Sequence, residues 1–379
     1  MVLSVIKRIN QIDREERGYY DDNIEMRGGM KMKVTKKLFG HLENAPVHAF
    51  TLATKQGTEV TCIDYGCIIT KIMTPDKEGN YENIVLGYDQ IEDYVNHSPY
   101  FGCVVGRVAG RIGGAAFELN EKTYSVAKNE NGNHLHGGLK GFDKVIWDTS
   151  IKETEDEASV EFSYMSPDGE EGYPGNLTMK VTYTLTNDNE FTIHYEGKSD
   201  ETTLLNATNH SYFNLSGDIK RDVLDHTLTL KSDKFLELND ELLPTGELIN
   251  VEGTTFDFRE GRKIRTGAES NDPQNQLAGG GYDHPFVLNA NHNQEIVLED
   301  QESGRKMTIE TDEVAVVVYT SNQLSGDVEI YGAKPRPHLA VCLETQGFPD
   351  AVNHEDFPSW VLEKDEAFSS VTKYRFGVI

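Results

Sequence analysis

The stretch LTMKVTYTLTNDNEFTIHY, residues 177–195, decides how the chain reads. From Leu177 to Leu185 every odd position is apolar and every even one polar, the two-residue period of a half-buried β-strand. Asn187, Asp188 and Asn189 then supply turn chemistry. Phe191, Ile193 and Tyr195 resume the odd phase, so the segment predicts an antiparallel hairpin with one apolar face. Upstream, Val160, Phe162 and Tyr164 alternate in the same way. Downstream, VAVVVY (314–319) is a continuous apolar run suited to a strand buried on both faces. The polar stretches 152–157 and 199–202 read as hairpin tips. Helical spacing after the first thirty or so residues is confined to short candidates near 90–95 and 350–357, so the pattern predicts a mainly antiparallel β chain.

A length of 379 residues permits one large domain or two, and neither an internal repeat nor a Pro- or Ser-rich linker divides the chain. The opening differs in character. Val2, Val5, Ile6, Ile9 and Ile12 fall at helical spacing, and the pattern changes abruptly after Gly29. Two readings of residues 1–29 stand side by side. One is an upstream-translated leader, because Arg27-Gly28-Gly29 can be encoded by a purine-rich ribosome-binding sequence with Met30 or Met32 as the usual start. The other is a genuine surface helix. Residues 30–379 then hold the domain.

The opening has no uninterrupted apolar core of the signal-peptide kind and no membrane-length run follows, which predicts a soluble, cytoplasmic protein. The 63 acidic and 36 basic residues leave a net charge of −27. That balance repels nucleic acid and anionic membrane surfaces and disfavours phosphorylated ligands. Cys62, Cys67, Cys103 and Cys342 lack the CxxC pairing of a metal site, and a chain of this size needs no disulfide staples, so reduced thiols are expected.

Several residues could carry chemistry. Glu344 lies where an apolar run, Ala340-Val341-Cys342-Leu343, meets a Gly-Phe-Pro loop; it is a candidate general base or, more plainly, a strand-end glutamate facing water. His210 sits among Asn206, Thr208, Asn209, Ser211 and Tyr212, whose amides and hydroxyls could fix an imidazole tautomer; the plainer reading is a satisfied polar histidine. His134 and His136 have a spacing that would place both rings on one strand face as metal ligands, but the Lys140-Gly141-Phe142 stretch that follows offers no further ligands. Arg107 and Arg111 flank glycines where backbone can approach a ligand, or are surface ion-pairing arginines. Asp283, after Gly279-Gly280-Gly281, is a binding carboxylate or a turn aspartate.

Five strings, GRVAGRI (106–112), NHLHGG (133–138), NATNHSYFNL (206–215), YDHPF (282–286) and CLETQGFPDAVN (342–353), occur in an order and spacing that resembles the aldose 1-epimerases, the galactose mutarotase family, over roughly residues 40–379. The resemblance implies an all-β fold: a large twisted antiparallel β-sandwich (a supersandwich, galactose mutarotase-like) with few short helices and a sugar groove on one sheet. It implies Glu344 as catalytic base and His210 as catalytic acid, with Arg111, His136, Tyr212 and Asp283 binding the substrate. It further implies no metal, no cofactor, a monosaccharide partner and a monomer or homodimer. One site gathering strings spread over residues 106–354 favours one domain. The reaction implied is interconversion of the α and β anomers of a free aldose, galactose or glucose, and for His210 to act near neutral pH its pKa is expected above the ordinary ~6.5. Two departures bear on specificity. Many relatives carry Asn where this chain has Gly110, and Gln where it has Val317. Rival readings are a phosphosugar 1-epimerase, a non-catalytic carbohydrate-binding sandwich, and a glycosidase pairing Glu344 with Asp283.

Overall fold

The computed structural model describes residues 31–289 and 296–379; the leader-or-helix reading of residues 1–29 lies outside them. The 177–195 hairpin forms as its alternation requires. Strands Leu177–Thr186 and Glu190–Ser199 pair antiparallel, with Leu185 opposite Phe191 and Val181 opposite Tyr195. Asn189 turns the chain at φ +59, a left-handed conformation that asparagine tolerates better than most residues. Every odd position of the first strand is buried.

This hairpin supplies the third and fourth strands of a nine-stranded antiparallel sheet. Glu157–Ser166 and Asp148–Glu153 extend it on one side. Ala367–Val378, Arg305–Thr311, Ile296–Glu299, Thr227–Leu230 and Arg262–Lys263 extend it on the other. A six-stranded sheet runs in the order Tyr212–Phe213, Val341–Gln346, Ala315–Tyr319, Asp283–Val287, Lys234–Leu238, Pro244–Asn250. A third, of five strands, is a simple meander from Lys33 to Asn83. One core joins all three: Val181, Tyr183 and Ile193 from the first sheet, Val316, Val318 and Leu343 from the second, and Phe50 and Val60 from the third. Each such side chain contributes about 1.5–3 kcal/mol by leaving water, so the sandwich is held by its apolar faces.

Three short helices complete the chain among the described residues: Ile91–His97, Arg265–Ala268 and Pro273–Leu277. The helix expected near 350–357 is only a single 3-10 turn, Ala351–Asn353. Asp350 enters it at φ +57, its Oδ1 accepts from the Gly113 N–H at 2.9 Å, and Pro349 and Pro358 bracket the segment. Two local readings separate. Residues 154–156 do turn a hairpin, with the Thr154 N–H donating to the Glu157 carbonyl. Residues 199–202 do not. After Ser199 the chain leaves the sheet and forms Thr203–Leu204, which pairs with the distant Val361–Leu362. Ala315–Tyr319 is almost wholly buried, but Val314 just before it is 41% exposed, so the apolar run outlasts the strand by one residue. No helix among the described residues is long and apolar enough to cross a membrane.

Candidate active site

Strand Val341–Gln346 builds the site through its pleat. Val341 and Leu343 point into the shared core, while Glu344 and Gln346, on the alternate face, line a cavity of about 560 Å³. Sheet register brings further residues to that face: Val317 lies opposite Glu344, Tyr319 opposite both Cys342 and Asp283, and Tyr212 opposite Cys342. Arg111, His136, His210 and Tyr100 line the same cavity. Thus the six residues that the resemblance assigned (Glu344, His210, Arg111, His136, Tyr212 and Asp283) all line one cavity, whereas His134 and Arg107 do not.

His210 and Glu344 form its centre. Nε2 of the imidazole is 3.5 Å from Oε1 of the carboxyl, with the side chains only 5% and 4% exposed. Burial pushes the Glu344 pKa well above the ordinary carboxylate range; the nearby Asp283 adds to the rise and Arg111 opposes it. Burial also pulls His210 down to about 4. This overturns the expectation of a raised histidine pKa. A carboxyl that itself holds its proton offers no charge to stabilise an imidazolium, and the loss of water decides the direction. The expected tautomer-fixing neighbours are likewise occupied elsewhere. Asn209 accepts from the Ser211 N–H and hydroxyl and donates to the Gly102 carbonyl, and Nδ1 of His210 has no partner among the described residues. Aromatic stacking holds the ring instead. Tyr212 lies nearly parallel at 5.1 Å between centroids and Tyr100 at 5.9 Å. Tyr212 therefore backs the imidazole, and its hydroxyl donates to the Pro99 carbonyl at 2.9 Å.

His136 and His134 do not act as a pair. His134 donates from Nδ1 to the Ala127 carbonyl and accepts at Nε2 from Tyr173, deep in the protein. His136, at φ +51, turns toward the cavity, and its Nδ1 accepts from the Gly110 N–H at 3.2 Å. An amide can only donate, so the ring proton sits on Nε2. Burial, then the neighbouring His210 and Arg111, hold this imidazole well below its usual pKa. Donor atoms of His136, His210 and Glu344 lie within 4.8 Å of one another, but the His136 tautomer presents an N–H rather than a lone pair. That suits a hydroxyl oxygen better than a metal ion.

Arg111 commits two of its three nitrogens to Glu130, at 2.7 and 2.8 Å, a fork that fixes the guanidinium. Burial works against its charge, yet the Glu130 bonds and the fields of Asp283 and Glu344 raise its pKa. Burial raises Asp283 too, with Arg111 opposing. Arg107 has a different role. Only 2% exposed, it donates to the carbonyls of Ser166, Pro167, Pro174 and Gly175 and fastens a loop; it is neither a surface ion pair nor a cavity residue.

At the Gly110 departure the backbone lies at φ +74, and a Cβ there would stand 3.1 Å from Pro349, tight for any larger residue. Among the cavity residues that escaped the sequence reading are Tyr100, Glu130 and Gln346. The only available signals were an aromatic in the Pro99-Tyr100-Phe101-Gly102 turn, a lone acid in an Asn/Gly-rich loop, and a polar residue in phase with Glu344.

The family model for aldose 1-epimerase matches residues 48–375. Galactose mutarotase of Bos taurus is 40% identical over 352 residues, covering 92% of this chain and 99% of that one. Maltose epimerase of Levilactobacillus brevis is 33% identical over 347 residues, covering 91% and 99%. The crystal structure of galactose 1-epimerase from Lactobacillus acidophilus superposes with a TM-score of 0.82 at 28% identity, covering 92% and 99%.

Proposed function

The chain belongs to the aldose 1-epimerase family, isomerases that interconvert the α and β anomers of an aldose, and from that premise we propose that Glu344 and His210 are its proton-transfer pair, acting on galactose or glucose. One observation carries the assignment. The two oxygens that must exchange protons, the anomeric hydroxyl and the ring oxygen, are bonded to the same carbon, so acid and base must stand side by side. A buried His and a buried Glu 3.5 Å apart meet that demand.

In the proposed cycle, ionised Glu344 takes the proton of the C1 hydroxyl while protonated His210 gives one to the ring oxygen. The ring opens to the aldehyde, the C1–C2 bond rotates, and the same groups return their protons on closure. Opening leaves Glu344 protonated and His210 neutral, which is also the arrangement that burial favours in the empty site. The pair holds one proton either way, so its titration belongs to both residues. Arg111, His136 and Asp283 would hold and orient the hydroxyls. A positioned pair of this kind supplies ~10²–10⁴-fold.

The rivals fare less well. The guanidinium of Arg111 is already paired with Glu130, and Asp283 and Asp327 line the cavity wall, acidic neighbours that oppose a sugar phosphate. The glycosidase reading, which would pair Glu344 with Asp283, is disfavoured by the epimerase family match and by His210 standing 3.5 Å from Glu344 as the nearer proton partner. A reducing disaccharide has a specific observation in its favour. The cavity wall also includes Tyr88, His97, Leu324 and Pro335, its volume of about 560 Å³ leaves room beyond one pyranose ring, and one relative is a maltose epimerase.

Polarimetry of freshly dissolved α-galactose, glucose, maltose and glucose 6-phosphate tests the reading. Rapid mutarotation of a free sugar is expected, with little acceleration for the phosphate. The dependence of kcat/KM on pH should be bell-shaped, its acid limb near pH 4 as His210 gains a second proton for the pair. The alkaline limb should lie above the ordinary glutamate value, where Glu344 loses the last one. No acceleration with any free sugar would leave only a carbohydrate-binding sandwich.

A further inference from the structure

Gln346 lies two residues beyond Glu344 on the same strand face, wholly buried, in the wall of the cavity. Its Nε2 donates to the Gly347 carbonyl at 3.2 Å. A carbonyl can only accept, so this bond fixes which end of the carboxamide is nitrogen and leaves Oε1 as the free end. That oxygen has no hydrogen-bond partner among the described residues. Buried carbonyl oxygens without partners are rare and costly, and the usual remedies are a neighbouring side chain, ordered water or a ligand. Gly110 and Pro349 pack beside the amide nitrogen rather than on Oε1: a Cβ placed at Gly110 would sit 3.1 Å from Pro349 and 3.5 Å from Nε2 of Gln346.

Building on the function proposed above, we propose that Gln346 is a substrate-binding residue, its Oε1 accepting the hydrogen of one ring hydroxyl while Glu344 engages the anomeric one. A sugar hydroxyl both donates and accepts, so the same hydroxyl can give its hydrogen to Gln346 and take one from a neighbouring donor. The contact is made alike by ring-closed and ring-open sugar, because neither bond change at C1 involves it. It therefore sets affinity and epimer preference rather than the rate of proton transfer.

The test is polarimetric kinetics of the parent, Gln346→Leu and the near-isosteric Gln346→Met with galactose and its 2-deoxy, 3-deoxy, 4-deoxy and 6-deoxy analogues. For galactose, KM should rise roughly ten-fold in both variants with kcat within about two-fold of the parent. For one deoxy sugar, the one lacking the hydroxyl concerned, parent and variants should have the same KM. An unchanged KM for galactose overturns the proposal, as does a KM that rises equally for every analogue, which marks a packing role. Melting curves of both variants identify a folding defect, and the better-folded one then decides. A parent inactive on every sugar would instead bring down the epimerase reading itself, whereas an active parent with a flat deoxy series brings down only Gln346.

Discussion

Strands Leu177–Thr186 and Val341–Gln346 follow the same two-residue pleat and do opposite things with it. In the first, Leu177, Met179, Val181, Tyr183 and Leu185 are buried and the intervening polar residues reach toward solvent. In the second all six residues are buried, and the face opposite the core carries Glu344 and Gln346. The first sorts core from water; the second sorts core from cavity. Burying polar groups without full hydrogen bonding works against stability, so a strand that does so is stabilised by the rest of the sandwich. One strand holds the fold, and the other holds groups whose pKa values the fold displaces.

Substitutions can break that contrast. The largest effect is expected at Glu344→Gln, which keeps the shape of the side chain but cannot take a proton: kcat should fall by at least ~10²-fold while galactose still binds. Because burial raises the folded-state pKa of Glu344, the carboxyl's contribution to stability is full at low pH and is lost as pH rises through that raised value. The variant's melting temperature should therefore meet or exceed the parent's, increasingly so toward alkaline pH. Near-normal turnover, measured by polarimetry, would remove Glu344 from the chemistry.

Leu185→Ala should do the reverse. It empties a fully buried site in the core, so denaturant unfolding should show a loss of about 2–5 kcal/mol with kcat of the folded protein unchanged. A large fall in kcat would mean the two strands are not separable.

A smaller effect is expected at Glu130→Gln. One bond to Arg111 can survive but the charged fork cannot, so KM for galactose should rise roughly ten-fold with kcat less affected. An unchanged KM would show that Arg111 orients itself. The smallest effect is expected from deleting residues 1–29. Met32–Ile379 forms a compact unit, and every cavity residue belongs to it, so melting temperature and mutarotation rate should match the full chain. Loss of either would show that the opening segment is needed.

The same contrast explains what was legible in the sequence. The hairpin could be read residue by residue because one of its faces meets water, and hydropathy records that boundary. The strand carrying Glu344 has no such boundary, so alternation alone could not distinguish a solvated glutamate from a buried one. Its string, matched to a family, did. Tyr100 and Glu130 lie in loops, where no period links residue type to direction; only the folded backbone brings Tyr100 onto His210 and Glu130 onto Arg111. The direction of the His210 shift was misjudged for a related reason. A sequence shows that a carboxylate and an imidazole share a site, but not that neither retains enough water to stay charged. Residues 199–202 were misread because turn composition says that a chain bends, not which strand it bends toward.

With Nε2 of His210 and Oε1 of Glu344 side by side and nearly out of reach of water, the proposed cycle carries its own protons. Opening moves one from nitrogen to sugar while the carboxylate collects another, and closure sends both back. Each turnover ends with the pair as it began, so no buffer molecule has to deliver or remove a proton between one sugar and the next. Such a site would run as a closed circuit, needing only sugar to turn.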